Sequence, residues 1–574
     1  MKKQKGRPRP PKQKVRKKAP APKLARTRAV AAPRVTQGSG DPRAMAAQAR
    51  QAADRGDWRQ AVALSRAALV MAPDDAEVLN IAGVAAFHSG DPAEALSLFE
   101  TALAHDPGHA EARSNLGNVL AATGRPAEAE AAYRAVVAQD PSHLNGRFNL
   151  GMLLEVSGRF AEAEAQFRAV LDRQPDHAEA RFHIGNILKA LNRLPEAMAA
   201  YDAVLKAAPR HAGAQVNRGA VLQETGRPLE ALEACRRVLR QEPGNLDARY
   251  NLAALLQETG RAADALAEYK TVLAQAPGHA GAQVNLAYAL RELGQLDDAF
   301  AAAEKACALA PNYDKAHVNL GDLLLQMGRP AEALAVARDF LATHPGNTSM
   351  LAFLAIALNE TGASAELDAL MDFPRLLRPV EISAPPGFAT VRDFNAALAA
   401  HVRAHPSLVR APASHATRNG RHSGELLVDP KGPVAALEQT IMRAVADYRA
   451  ANPVEPDHPF LAQRPEALRL SAWGVVMEDR GHQVAHIHPA AWLSGVYYPE
   501  IPDVVADADP AHQGWIEFGR PPKDFHATTA PRTTLIRPRA GLMLLFPSYL
   551  YHETVPYRAP VERMSVAFDV MAGD

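Results

Sequence analysis

Nine prolines keep a fixed interval. Pro73, Pro107, Pro141, Pro175, Pro209, Pro243, Pro277, Pro311 and Pro345 stand 34 residues apart, with no insertion between them. A single globular core gives no reason for such regularity. A stack of equivalent two-helix units does, because each unit buries its apolar face only against its neighbours.

One unit, HAEARSNLGNVLAATGRPAEAEAAYRAVVAQDPS, begins at His109. Its first half has apolar residues at helical spacing and stops at Gly124, a residue suited to the left-handed cap. Its second half is an Ala-rich amphipathic helix that ends at Asp140 and Pro141, where proline breaks the helix. Small residues such as Gly117 and Ala129 allow the two helices to approach closely. The pattern resembles the tetratricopeptide repeat. On that resemblance nine repeats fill about 42 to 347, and TSMLAFLAIALNETGASAEL, with its turn glycine Gly362, caps the stack as a half-repeat.

Inside the repeats runs a second line. Asn115, Asn149, Asn217, Asn251, Asn285 and Asn319 hold one repeat position, which His183 takes in another copy. Such asparagines can simply order helix packing. An amide also offers a donor and an acceptor, as a peptide unit does. A regular row could therefore hold an extended polypeptide by its backbone. The repeats resemble those of protein O-glycosyltransferases, and the resemblance implies an asparagine ladder that binds peptide.

Residues 1–41 read as a disordered tail. The first 34 residues contain fourteen Lys or Arg and no Asp or Glu. Like charges and few apolar groups oppose folding there. The tail could contact a polyanion or serve as a solubilising extension. It has no apolar stretch of secretory type. No run of 18 apolar residues follows, so no transmembrane segment is expected. Cys235 and Cys307 are the two cysteines of the chain. Too few for a disulfide scaffold, they suit a reducing cytoplasm.

The 34-residue period ends near 371, and residues 372–574 read as a second domain. Helical patterns lie at 391–404 and 433–449. Then come short β-prone runs: LRLSAWGVVME, QVAHIHP, LSGVYYPE, GWIEFG, TTLIRP, GLMLLFP and RMSVAFDV. Short strands divided by Gly and Pro turns suggest a barrel or sandwich, covered outside by the preceding helices.

HIHP, at 486–489, carries the chemistry. On an extended strand His486 and His488 point the same way. They are a plausible half of a metal site, though surface strands also carry such pairs. His552, after an apolar strand and a Pro-containing turn, is a third candidate. Imidazole suits iron, zinc, nickel or copper. Arg563 and Ser565 share one face of a strand whose other face is apolar, and such a pair can clamp a carboxylate. Trp473, Tyr497 and Tyr549 could line the cavity, or belong to the core like most strand aromatics. In HATRNGRHSGELL, Arg418, Arg421 and His422 could face a substrate or form a solvated loop.

HIHP, SGVYY at 494–498, FPSYLYH at 546–552 and RMS at 563–565 together resemble the 2-oxoglutarate- and Fe(II)-dependent oxygenases. The resemblance covers about 375 to 574. It implies a double-stranded β-helix of jelly-roll or cupin-like type, following the all-α repeat superhelix. It implies His486 as first and His552 as distal iron ligand, Arg563 and Ser565 holding 2-oxoglutarate, and O2 as oxidant. Tyr497 could add a hydroxyl to the cosubstrate. The broad pattern has H-x-D or H-x-E where this chain has His488. His488 is therefore a third neutral ligand or lies outside the coordination sphere.

Three functions compete. In the first, the repeats deliver a polypeptide to a dioxygenase that hydroxylates it. The second is a three-histidine cupin-like or small-molecule dioxygenase, which has no need of the Arg563 clamp. The third is a non-enzymatic interaction scaffold.

Overall fold

A computed structural model describes residues 41–411, 415–428, 430–506 and 509–573. The basic tail up to residue 40 lies outside the described residues, as does the polyanion contact expected of it. Two compact units are present, divided between Asp140 and Pro141.

In the first unit three helix pairs follow one another: Pro42–Asp54 with Trp58–Met71, Ala76–His88 with Pro92–His105, and Ala110–Ala122 with Pro126–Gln139. The repeat at His109 shows why. The His109 ring accepts from the Ala112 amide and caps the first helix. Gly124 takes φ +77°, and Pro126 opens the second helix, where its missing N–H costs nothing. A Cβ on Gly117 would stand 2.6 Å from the Tyr133 ring, so glycine there is a packing requirement.

In the second unit the same pairing continues from Leu144–Val156 to Pro330–Thr343 and closes with Thr348–Thr361 and Ser364–Leu370. These are tetratricopeptide repeats. No helix among the described residues is long and apolar enough to cross a membrane.

Beyond the repeats lie ten strands among the described residues. They are β1 (Arg378–Glu381), β2 (Val409–Arg410), β3 (Thr417–His422), β4 (Leu468–Gln483), β5 (Leu493–Glu500), β6 (Ile516–Phe518), β7 (Thr534–Ile536), β8 (Leu542–Pro547), β9 (His552–Thr554) and β10 (Arg563–Ala572). Helices Val391–Ala404 and Val434–Ala451 precede the main strands, as their patterns suggest. Seven strands form one antiparallel sheet in the order β1-β8-β5-β10-β4-β3-β2, and three form another in the order β7-β6-β9.

Of the barrel or sandwich that the short strands suggest, the structure shows two antiparallel sheets and, among the described residues, no closed barrel. Among the described residues no continuous ladder joins them. The small sheet is short: β6, β7 and β9 are three residues each, and the β6–β7 connection carries Gly519, Pro521, Pro522 and Pro531. Proline cannot donate to a ladder, so the small sheet cannot extend.

QVAHIHP also departs from expectation. β4 runs on through Gln483, and the HIHP segment is irregular apart from one isolated bridge, His486 to His552. The bridge ties the β4–β5 connection to β9 of the small sheet.

The β6–β7 connection is seated on the last repeats. The His526 amide donates to Asp322 Oδ1 at 2.8 Å, and the Thr528 and Thr529 amides donate to Glu360 at 2.8 and 2.7 Å. Asn359 Nδ2 donates to the carbonyls of Thr529 and Ala530. Repeat side chains thus hold an irregular segment of this chain by its backbone.

Candidate metal centre

His486 and His552 exchange two backbone hydrogen bonds of 3.1 Å. On its other side His552 pairs with Phe518 of β6. The His488 amide donates to the Ser548 carbonyl at 3.2 Å. These backbone contacts bring three rings together. The His486 and His552 ring centroids are 4.2 Å apart, and each lies 5.2 Å from that of His488. One nitrogen from each ring lies within 4.8 Å of the others.

The partners of the rings assign their protons. His486 Nδ1 is 2.8 Å from the Val484 carbonyl, and His552 Nδ1 is 3.0 Å from the Leu550 carbonyl. A carbonyl only accepts, so Nδ1 carries the proton in both. His488 Nδ1 faces Asp569 Oδ1 at 2.6 Å, and a carboxylate accepts likewise. Each Nε2 is left with its lone pair, the state in which imidazole binds a metal. Burial, aided by His488, pushes the His486 pKa down to about 3, and burial holds that of His552 well below its ordinary value. The His486 and His552 rings are therefore neutral at physiological pH. The cluster is a potential metal-binding site.

A cavity of about 260 Å³ lies over the three histidines. Arg563, Ser565, Ala567 and Asp569 of β10 line it, alternate residues on one strand face. Arg563 is 2% exposed. Its Nη1 donates to Met477 Sδ at 3.3 Å, its guanidinium lies 5.2 Å from the Tyr498 ring centroid, and its Nε has no partner. Among the described residues no carboxylate lies within 4 Å of it. Burial lowers its pKa, the sign of a charge without a counter-ion.

Sequence reasoning missed Asp569. The signal was there, since the alternation that pairs Arg563 with Ser565 continues to 567 and 569. Asp569 Oδ1 also accepts from Ser494 Oγ at 2.7 Å, and Ser494 Oγ is 2.7 Å from Ser548 Oγ. The serines of SGVYY and FPSYLYH therefore serve one network, which fixes the His488 ring.

A family described as "Putative 2OG-Fe(II) oxygenase" matches residues 471–569, a span that contains the triad, Arg563 and Asp569. Two tetratricopeptide-repeat families match the preceding region, one at 86–146, 222–278, 256–299 and 290–357, the other at 46–100, 148–212 and 189–246. The chain is a tetratricopeptide-repeat protein with a C-terminal 2OG-Fe(II) oxygenase-like domain.

Among solved structures, the chain is similar to a tetratricopeptide repeat protein from Parabacteroides merdae ATCC 43184, at 16% identity and TM-score 0.37, covering 43% of this chain and 98% of that one. Pseudomonas aeruginosa pilF matches at 20% identity and TM-score 0.33, covering 36% and 95%. YrrB matches at 22% identity and TM-score 0.27, covering 32% and 95%. No curated protein matches the chain.

Within the oxygenase-like domain, His486, His488, His552, Arg563, Ser565 and Trp473 line one cavity. Tyr497 does not. Adjacent strand residues face opposite ways, so Tyr497 points beneath the sheet, where its hydroxyl donates to Asn395, and Tyr498 faces the cavity instead. Tyr549 donates to the Leu370 carbonyl and belongs to the core. Arg421 pairs with Glu562, whereas His422 lines the cavity.

The asparagine line meets other partners. Asn115 Nδ2 donates to Asn80 Oδ1 at 2.9 Å, and Asn217 Nδ2 to Asn186 Oδ1 at 2.7 Å. Asn285 Nδ2 donates to Tyr250 Oη at 3.1 Å, and Asn319 Nδ2 to the Val284 carbonyl at 3.3 Å. In these four the amide nitrogen bonds the preceding repeat. Asn319 is 1% exposed. Asn149 and Asn251 lie half-buried at the same repeat position.

Proposed function

We propose that the C-terminal domain is a three-histidine iron oxygenase that uses 2-oxoglutarate and O2 to hydroxylate a polypeptide. The observation that carries this reading is the pairing of three clustered imidazoles with a buried guanidinium that, among the described residues, has no counter-ion, in one cavity.

The residues fit both groups. His486, His488 and His552 would hold the metal, and Asp569 would orient His488 as a carboxylate behind a ligand does. Arg563 would take the remote carboxylate of the cosubstrate, with the Ser565 hydroxyl beside it. Iron bound there would supply O2 activation. In the overall change one oxygen atom enters a substrate C–H bond. The other joins 2-oxoglutarate, which leaves as succinate and CO2. The residues themselves bind, orient and exclude water: Trp473, Phe546 and Ile516 wall the cavity with apolar surface.

The double-stranded β-helix is part of this proposal, with the two sheets as its faces and the His486–His552 bridge between them. So are a boundary near 371 and a cytoplasmic location. Peptide binding by the asparagine line belongs here too, but four of its amides already bond the neighbouring repeat.

The triad by itself also favours a second reading, a three-histidine dioxygenase without cosubstrate. Anaerobic titration of Fe(II) and then 2-oxoglutarate into the full chain separates the two. Iron binding followed by saturable cosubstrate binding supports the first. Iron binding with no cosubstrate binding supports the second, and binding of neither overturns both.

A further inference from the structure

A second cavity opens beside the first. It measures about 1090 Å³, just above the roughly 300–1,000 Å³ of small-molecule sites. One wall is formed by the turns of three successive repeats, at Gly158–Glu162, Lys189–Arg193 and Glu224. The other wall belongs to the oxygenase-like domain, around His405, Gly424 and Ser471. At Gly424 the walls touch: a Cβ there would collide with the Leu191 carbonyl.

The two cavities share His415, His422 and Trp473. These rings form a series. The His415 and His422 centroids are 4.6 Å apart, His422 and Trp473 6.0 Å, and Trp473 and His488 5.6 Å. An aromatic threshold therefore leads from the cleft to a histidine of the triad.

The cleft wall carries charged groups that lack a close ion pair, Lys189 and Glu224 attracting each other only at longer range. Lys189 and Glu224 are half-buried, and among the described residues neither forms an ion pair within 4 Å. Asn192 breaks the repeat pattern. It takes φ 56° at the turn where Gly158 and Gly226 take φ 72° and 74°, and its Nδ2 is buried without a partner. A glycine would hold that turn with less strain. The amide is what the substitution adds.

Both charge signs line the cleft, which disfavours a polyanion, whose binding needs a basic excess. Spaced amide and charged groups suit a polypeptide. The last repeats already hold residues 526–530 in this manner.

We propose that the cleft is the substrate entrance and takes an extended polypeptide. Its main chain lies against the repeat turns at Lys189–Arg193 and Glu224, and one side chain passes His415, His422 and Trp473 to reach the triad. The proposal rests on the oxygenase reading above, and its test is separable from that reading.

A degenerate pool of dodecapeptides carrying a benzophenone side chain is photo-crosslinked to the full, metal-free chain, and adducts are mapped by mass spectrometry. Adducts are expected on Lys189–Arg193 and near Trp473. Ala190→Trp, which fills the exposed cleft wall, and Asn192→Gly, which restores the turn glycine, should each lower peptide affinity about tenfold or more. Neither should alter iron affinity or peptide-independent 2-oxoglutarate consumption. Adducts elsewhere, no peptide binding, or unchanged affinity in both variants overturns the entrance. So does a twelve-nucleotide single-stranded RNA that binds the cleft in place of peptide. If instead the peptide result holds while the wild type consumes no 2-oxoglutarate with iron, the entrance stands and the oxygenase reading falls.

Discussion

Asp569 Oδ1 accepts from His488 Nδ1 at 2.6 Å and from Ser494 Oγ at 2.7 Å. A carboxylate thus stands behind the triad, on the far side of the His488 ring from Nε2. It pins the ring, fixes its tautomer and raises the basicity of Nε2. On the proposed reading, three imidazoles would leave a divalent cation's charge uncompensated in the coordination sphere, and Asp569 would return one negative charge through His488.

Asp569→Asn keeps the shape and removes that charge. Iron affinity should fall by roughly ten- to hundredfold, the usual cost of a lost outer partner. His488→Ala should lower it further, because a donor atom is gone. Isothermal titration with Fe(II) under anaerobic conditions measures both. Equal affinity in wild type and Asp569→Asn would remove Asp569 from the site.

Arg563→Met separates function from stability. A buried cation without a counter-ion costs free energy in the empty protein. The variant should unfold later than wild type by about 1 kcal/mol or more, roughly 2–4 °C in a domain of this size. It should also bind 2-oxoglutarate about thirtyfold more weakly or worse, since a charged hydrogen bond is lost. Iron affinity should hold. Calorimetry and cosubstrate titration decide; a variant that melts earlier would show that the guanidinium is already satisfied.

Acid should loosen the metal-free protein above the carboxylate range. Burial lowers the pKa of His486 and His422 to about 3 each, against about 6.5 in the unfolded chain. The unfolded state therefore takes up protons first as pH falls. Stability is full above about pH 6.5 and is lost progressively towards pH 3. Tm should drop between pH 7 and pH 5, and the drop should shrink in His422→Phe. Identical slopes in the two proteins would contradict a neutral, buried His422.

Much of this was legible beforehand, for physical reasons. A 34-residue period survives in Pro107 and Gly124 because each repeat meets the same local demands. His486, His488 and His552 stand out because few uses other than metal binding cluster histidines with such neighbours. HIHP was misread as a strand because its pairing partner, His552, lies far along the chain and pairs at a single residue. Tyr497 was misplaced because two adjacent tyrosines offer both strand faces, and choosing between them needs the register, Val566 opposite Tyr497. The seating of His526 on Asp322 leaves no sequence signal at all.

That seating predicts a contrast between two acids. Glu360 is less buried and holds the Thr528 and Thr529 amides near the surface, so Glu360→Ala should free those amides to exchange while costing only about 1 kcal/mol. Asp322 is 4% exposed and also pairs with Arg291. Asp322→Ala strands the half-buried Arg291 guanidinium and removes the partner of the His526 amide, and should cost about 2–4 kcal/mol. Hydrogen exchange read at His526, Thr528 and Thr529, beside denaturant unfolding, separates the local effect from the global one. Similar unfolding midpoints would show that this pair contributes little.

The asparagine line can be tested against its own geometry. Asn217 and Asn285 donate to Asn186 and Tyr250 of the preceding repeat, and Asn319 is buried against the Val284 carbonyl. If these bonds staple repeats, each alanine substitution should cost about 0.5–1.5 kcal/mol of stability. The effects should add approximately, because the bonds share no atoms, though stacked repeats transmit some coupling. If the line instead grips a polypeptide, stability should barely move and peptide affinity should fall stepwise. Asn217→Ala, Asn285→Ala and the double variant, each measured by denaturant unfolding and by dodecapeptide crosslinking, tell the two roles apart. The hydrogen bonds favour the staple, so early melting with crosslinks retained at Lys189–Arg193 is the expected result. Unchanged melting with crosslinks lost would return the asparagines to the substrate and move the peptide out of the cleft.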